Sequence, residues 1–514
     1  MLIAAGVALL TIRLGAASLS NDEANYARNV SRTWSELFAF LHTEIHPPLY
    51  YIFLKCWTGF SGIGETALRL SSIPFAIACW FVLRAWTKKN VAPDVAFLAL
   101  TLFVLSPFFL FLSRLAKYFP AVTLLSLGSV CLLWKLCEEE HPRRRRTLLL
   151  IAWGACSLAL LWTHYIGAVT WAAMIGWILI RVREDRRRAK LLLWLGIFAI
   201  GFVPQLAHLF MQAREAAAGE STAVIASPMR RTFIQLAYSA YAFAVGHTLS
   251  ITHPFIAAIA AVTIGGAFFM GLFQLRRSGN RPLAFATYFF FTQFIGAFVL
   301  MRVMLPGHPD LAASERLSFT IPWFAVICAA GIASVGRSKI LFLAYAFPAS
   351  TSILSMLTGA ENNSYDYIIP WRTIAEDAAA QHPDMIVVDD WHLGARGWYY
   401  LRLEAKEFVE LRGLRDNNEM ESFVDNLPPD TVVVFLRSTR DASVDSHVDR
   451  FEALLTARIG IPAPAGFVRE IDETAGLKAA LKGEPPPLST ERKITRLRFG
   501  SHRDSSSGYG MGLD

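Results

Sequence analysis

Charge is scarce in this chain. Asp, Glu, Lys and Arg make up 18% of its 514 residues, where soluble domains carry about 25%, and the shortfall argues against an ordinary soluble enzyme. Cysteine is scarce too. The six cysteines (Cys56, Cys79, Cys131, Cys137, Cys156 and Cys328) form no CxxC pair and none lies in the last third of the chain, so neither a disulfide framework nor a zinc site is implied. No nucleotide-binding motif is visible, and no half of the chain repeats another. The net charge of +8 is spread over short loops between apolar runs, which excludes nucleic acid as a partner. The stretch MLIAAGVALLTIRLGAAS has the length of a signal peptide but no basic n-region, and the chain beyond it is itself membrane-like, so it reads as a first transmembrane helix.

Long apolar runs are what the chain has. Hydrophobic residues reach 54% and the mean hydropathy is +0.39. The runs fill residues 1–358, whereas 359–514 are polar, charged and interrupted by proline. This contrast predicts a polytopic α-helical membrane domain over 1–358, a soluble α/β domain over 359–482 and an extended or disordered tail over 483–514. A spanning helix needs about 20 apolar residues. Runs of that kind occur at 1–18, 66–86, 91–112, 118–137, 147–163, 165–181, 191–210, 254–275, 282–303, 316–335 and 340–358, which predicts about 11 spans.

Basic residues at Lys88–Lys89, Arg143–Arg146, Arg181–Lys190, Arg276–Arg281 and Arg337–Lys339 mark the cytoplasmic loops. The connections 19–65, 113–117, 163–165, 211–253 and 304–315, and the C-terminal domain, then fall outside. Counting 232–252 as a span would put Arg276, Arg277 and Arg281 outside as well. Its serines, threonines, tyrosines and histidine instead predict a helix lying at the interface. In the C-terminal part, MIVVDD (385–390) and TVVVFL (431–436) predict strands, and 371–381 and 444–457 predict helices.

With this topology, ionisable residues gather on one side of the membrane. The first outer loop holds NDEANY (21–26) and HTEIHPPLYY (42–51), which supply Asp22, Glu23, Tyr26, Glu44 and His46. Arg69 starts the second span, Arg114, Lys117 and Tyr118 lie in SRLAKYF, His164 and Tyr165 in WTHYIG, and His308, Glu315 and Arg316 before the tenth span. Charges at the edge of the hydrocarbon layer are costly, so their collection on one face suggests a site. A transfer reaction from a lipid-linked phosphate needs these types. One carboxylate, Asp22 or Glu23, takes a proton from the acceptor. His46, Arg114, Lys117 and Arg316 offset the charge of the departing phosphate, and interfacial aromatics position the ligand. Each residue also has a plainer use. An acidic pair can cap a helix, HPP can turn the chain, Arg114 and Lys117 can snorkel, His164 can be a packed core histidine, Arg316 can anchor a helix end, and Tyr50, Tyr51, Tyr118 and Tyr165 can belong to an aromatic belt.

In series, NDEANY, IHPPLYYIFLKCW, GETALRLSSIPF, SPFFLFLSRLAKYFP and LLWTHYIGA resemble the GT-C integral membrane glycosyltransferases. The branch they look most like holds the protein O-mannosyltransferases and the aminoarabinose transferases that modify lipid A. The match covers roughly 15–210, with SERLSFTIPWF (314–324) as a later echo. The resemblance implies an inverting transferase that moves a sugar from a polyprenyl-phosphate carrier to a glycolipid, protein or cell-envelope polymer. It implies an outer-face site in a bacterial cytoplasmic membrane, Asp22 as the base with Glu23 beside it, and His46 near the lipid phosphate. Many bacterial relatives carry an acidic residue and an arginine where this chain has Leu115 and Lys117, so the carboxylate's role is lost or passes to Glu44. No firm metal requirement follows, and a divalent cation stays compatible with the pattern. Two rival readings remain: a multi-span transporter or lipid flippase, whose charges would sit near the midplane of repeated halves, and a scaffold that binds a partner through its C-terminal domain.

Overall fold

Prolines and charged turns decide where the apolar runs break into helices. In the computed structural model, the described residues are all except 45, 207–237, 250–253, 305–310, 336–337, 359–370, 390, 412–413, 415–416, 429, 439–444, 461, 472–490 and 500–514. The first helices are α1 (Leu2–Thr11), α2 (Asn21–Val30), α3 (Trp34–Leu41), α4 (Leu49–Ser61), α5 (Glu65–Leu70) and α6 (Ile73–Asn90). They are followed by α7 (Pro93–Val104), α8 (Pro107–Ser113), α9 (Phe119–Glu138), α10 (Arg143–Thr163), α11 (Gly167–Arg181) and α12 (Asp185–Ile200). The chain divides into two compact units. One is Met1–Ala16 with Asn29–Asn363, the other Ala17–Arg28 with Ser364–Asp514.

Among the described residues of the first unit, seven helices are long and apolar enough to cross a membrane: Glu65–Asn90, Phe119–Glu138, Arg143–Thr163, Phe255–Ser278, Arg281–Leu300, Ser314–Ala333 and Ile340–Thr358. The pair α7 and α8, bent by 49°, makes an eighth if counted as one span. Of the about 11 runs expected from the sequence, those that fall short of a full-length helix do so for identifiable reasons. α1 stops at Thr11, and Arg13 adopts a positive φ of 53° that no helix continues through. α11 has 15 residues, about 22 Å against a hydrocarbon core of about 30 Å. α12 opens on DRRRAK, which shortens its apolar part. Ser106 caps α8 ahead of Pro107, which breaks the 91–112 run. The segment expected at the interface is described only over 238–249; 238–245 is helical and mostly buried, and Phe243 packs on Phe108, Phe294 and Phe324. These residues are thus packed against other helices, and the rest of 232–252 lies outside the described ones.

Close packing of the spans uses small residues and polar knots. Helices 266–278 and 321–333 approach so tightly that a Cβ on Gly331 would stand 1.8 Å from the Ala267 carbonyl oxygen, and one on Gly271 would stand 2.1 Å from that of Ile327. Gly331→Leu is therefore expected to destabilise the protein by about 3 kcal/mol, read as an earlier thermal transition in detergent. Gln293 Nε2 donates to Ser126 Oγ and Thr170 Oγ1, each at 3.1 Å, and so ties three helices together. Trp86, Trp134, Trp177, Trp323 and Phe285 interlock with ring centroids 4.7–6.0 Å apart.

The second unit is built on a five-stranded sheet. Its strands are β1 (Met385–Val388), β2 (Glu407–Glu410), β3 (Val433–Ser438), β4 (Ala463–Ile471) and β5 (Glu491–Phe499), in the order β2-β1-β3-β5-β4. β1 pairs in parallel with β2 and β3, and β5 pairs antiparallel with β3 and β4. β1 and β3 coincide with the two expected strands. Alternate residues serve two cores, as a sheet covered on both faces requires. Met385, Val387, Val433 and Phe435 pack with Met420, Val424, Phe451 and Leu455. Ile386, Val388, Val434 and Leu436 pack with Trp371, Ile374, Ala378 and Leu401. Residues 491–499, expected as part of an extended tail, form β5. The short segment Ala17–Arg28 is fastened to this unit: the Leu19 amide donates to the Tyr400 hydroxyl at 2.7 Å, and Arg28 pairs with Glu410 at 2.5 Å.

Candidate functional site

Within the first unit, four chain segments bring their polar side chains to one place. Pro47 disfavours the α region for His46, which leaves that residue in the turn before α4. His46 Nδ1 lies 2.7 Å from Glu44 Oε1, and the His46 amide donates to the same oxygen at 3.2 Å. The Nδ1 proton therefore faces the carboxylate and Nε2 is left for another partner. Tyr118, the residue before α9, forms a triangle with two imidazoles, 5.7 Å from His46 and 4.5 Å from His164, which are themselves 5.7 Å apart. Tyr50 closes the group edge-on to Tyr118 at 6.2 Å. Tyr50, Tyr51 and Tyr118 are buried, unlike residues of an exposed aromatic belt.

His164 follows the last residue of α10. The Ile166 amide donates to its Nδ1 at 3.0 Å, which puts the ring proton on Nε2. Burial first, then the charges of His46 and Arg316, hold its pKa well below the ordinary imidazole value. His164 is thus a neutral hydrogen-bond donor. Tyr165 accepts from Gln205 Nε2 at 2.8 Å, and burial, ahead of the Glu44 charge, raises its pKa.

Lys117 and Glu315, both buried, approach to 4.0 Å, and the Lys117 ammonium stands 5.3 Å from the Phe119 ring centre. Arg316, the next residue, is half-buried and makes no hydrogen bond or ion pair among the described residues. Both belong to the 3-10 segment Leu311–Thr320. The start of that segment is tied to a buried histidine: Ser314 Oγ lies 3.3 Å from His247 Nε2, whose Nδ1 is 2.8 Å from the Tyr238 hydroxyl. The sequence marked His247 only as one polar residue of an interfacial segment, and it did not mark Gln205, whose partner Tyr165 lies 40 residues away. His308 lies outside the described residues.

Two of the expected ligand cations are engaged by main chain. Arg114 donates to the carbonyls of Leu9, Leu10, Ile12 and Arg13 at 2.7–3.3 Å, closing the C-terminal end of α1. Arg69 donates to the Leu14 carbonyl at 3.0 Å. Burial, and then Arg69, lower the Arg114 pKa to about 10, which leaves it charged at neutral pH.

Asp22, Glu23 and Tyr26 lie in the second unit. The acidic pair is divided by its own helix. Glu23 is fully buried; its Oε2 accepts from the Ser20 amide at 2.9 Å while Ser20 Oγ accepts from the Glu23 amide at 3.3 Å. This is a capping box at the start of α2. Asp22, one position earlier, is exposed, and Tyr26 is buried. Replacing Ser20 by Ala removes one arm of the box and is expected to cost about 1 kcal/mol, measurable by thermal unfolding. Among the described residues, no group of three or more His, Cys, Asp or Glu side chains could hold a metal ion.

No family model matches the chain, and no curated protein matches it. Solved structures do. ArnT from Cupriavidus metallidurans in the apo state is similar with a TM-score of 0.58 at 12% identity, over 96% of this chain and 97% of that one. The ArnT structure from the same organism bound to undecaprenyl phosphate gives 0.56 at 14% identity over the same shares. The architecture is therefore the GT-C one that the motif series implied.

Proposed function

We propose that the protein is an inverting glycosyltransferase that moves a sugar from a polyprenyl-phosphate carrier to a glycolipid, protein or cell-envelope polymer. Its site faces outward from a bacterial cytoplasmic membrane, as does the C-terminal domain. The observation that carries this reading is the convergence of His46, Tyr118, His164 and Arg316, beside the Lys117–Glu315 pair, at the ends of membrane-spanning helices. Such a cluster suits a phosphate on a lipid, and the fold is one in which a solved structure holds undecaprenyl phosphate. Asp22 takes the proton from the acceptor hydroxyl or amine as it attacks the anomeric carbon. Glu23 holds the helix that carries Asp22. Lys117, Arg316 and the two histidines stabilise the phosphate as its bond to the sugar breaks, and a single displacement inverts the anomeric configuration.

Purified protein in vesicles, given polyprenyl-phosphate sugars and membrane extracts as acceptor, is expected to release polyprenyl phosphate and a glycosylated product. Comparing envelope lipids and glycans of cells with and without the protein by mass spectrometry identifies the sugar and acceptor. Movement of the donor across the vesicle membrane without any transfer would instead establish a flippase.

A further inference from the structure

Two histidines at one phosphate-type site invite a division of labour. His164 gives its Nδ1 to a main-chain amide and can only donate from Nε2. His46 gives its Nδ1 to a carboxylate, an arrangement that stabilises the ring when it is positively charged and turns Nε2 away from Glu44. The neighbours that set the field there are Tyr50 on α4, Tyr118 before α9, His164 and Tyr165 after α10, and Arg316 and the Lys117–Glu315 pair. Lys117 and Arg316 supply fixed positive charge to this group. A further fixed cation at position 46 would add attraction for phosphate but would be a poor proton donor near neutral pH.

We propose that Glu44 and His46 act as one carboxylate–imidazole pair that delivers a proton from His46 Nε2 to the phosphate as it leaves the sugar. This role presupposes the transfer reaction proposed above. As the acceptor oxygen or nitrogen bonds to the anomeric carbon, the bond from that carbon to the phosphate oxygen breaks and its electron pair stays on that oxygen. The acceptor's proton goes to Asp22. The Nε2 proton goes to a phosphate oxygen, which leaves the carrier as the monoprotonated phosphate and His46 neutral until water reprotonates it. Glu44 is a positioning residue: it fixes the tautomer and offsets the charge of the imidazolium.

The test measures transfer and the binding of undecaprenyl phosphate across pH 5.5–8.5 for the intact protein and the variants His46→Lys, His46→Gln and Glu44→Gln, each first shown to be folded by its thermal transition. Wild-type kcat is expected to fall on the alkaline side of this range. His46→Lys should bind the lipid phosphate about as tightly as wild type, yet lose on the order of 10²-fold in kcat together with the alkaline fall. His46→Gln should lose both binding and turnover. Glu44→Gln should lose about tenfold in kcat and shift the alkaline limb to lower pH. Full activity of His46→Lys with an unchanged pH profile would overturn proton delivery while leaving the transfer reaction standing, as would a Glu44→Gln profile identical to wild type. Absence of product from wild type with every polyprenyl-phosphate sugar would overturn both.

Discussion

Asp22→Asn is expected to lower kcat by at least about 10³-fold, within the range that a positioned general base supplies, while the protein folds normally. The amide matches the carboxylate in size but cannot take the acceptor's proton. Stability should survive because Asp22 is exposed and the start of α2 is held by Ser20 and Glu23. Glu23→Gln is the matched control. A glutamine at that position can still reach back to the Ser20 amide, so this variant should keep its thermal transition and lose far less activity than Asp22→Asn. Transfer assays on detergent-purified protein, with folding followed by thermal unfolding, separate the two. Equal losses at both positions would return the catalytic role to the pair, and an active Asp22→Asn would remove Asp22 as the base.

The contrast between those two carboxylates shows what the sequence could and could not reveal. Ser20 and Glu23 stand three residues apart at the start of a helix, a capping-box spacing visible in SNDE itself, so the use of Glu23 at the helix start was legible. The strands MIVV and VVVF were legible because they are buried on both faces and read as continuous apolar runs. β5, ERKITRLRF, alternates charge with apolar residues and looks like an extended tail until β3 and β4 pair with it. The use of Arg114 was not legible. Its acceptors lie about a hundred residues earlier, and only the tertiary fold tells a cation that closes a helix end from one, such as Arg316, that makes no hydrogen bond among the described residues. The same holds for the fastening of Ala17–Arg28 to the C-terminal unit, made by Tyr400 and Glu410 from far along the chain.

That distinction among cations leads to the second large effect. Arg316→Met is expected to weaken undecaprenyl-phosphate binding and reduce transfer by between about 10² and 10³, as loss of one aligned donor to a developing anion does. Its thermal transition should stay near that of wild type, since Arg316 makes no hydrogen bond or ion pair among the described residues. Arg114→Met should behave in the opposite way. It removes a buried guanidinium from four main-chain carbonyls, and hydrogen bonds from a charged donor are worth about 1.5–3 kcal/mol each, so destabilisation of at least about 3 kcal/mol is expected even with partial rehydration of the helix end. Arg114→Lys should recover only part of this, because one ammonium cannot match the planar fork. If Arg316→Met binds the lipid phosphate as wild type does while Arg114→Met stays stable and fails to bind, the two arginines have been assigned the wrong way round. The phosphate would then belong at the end of α1.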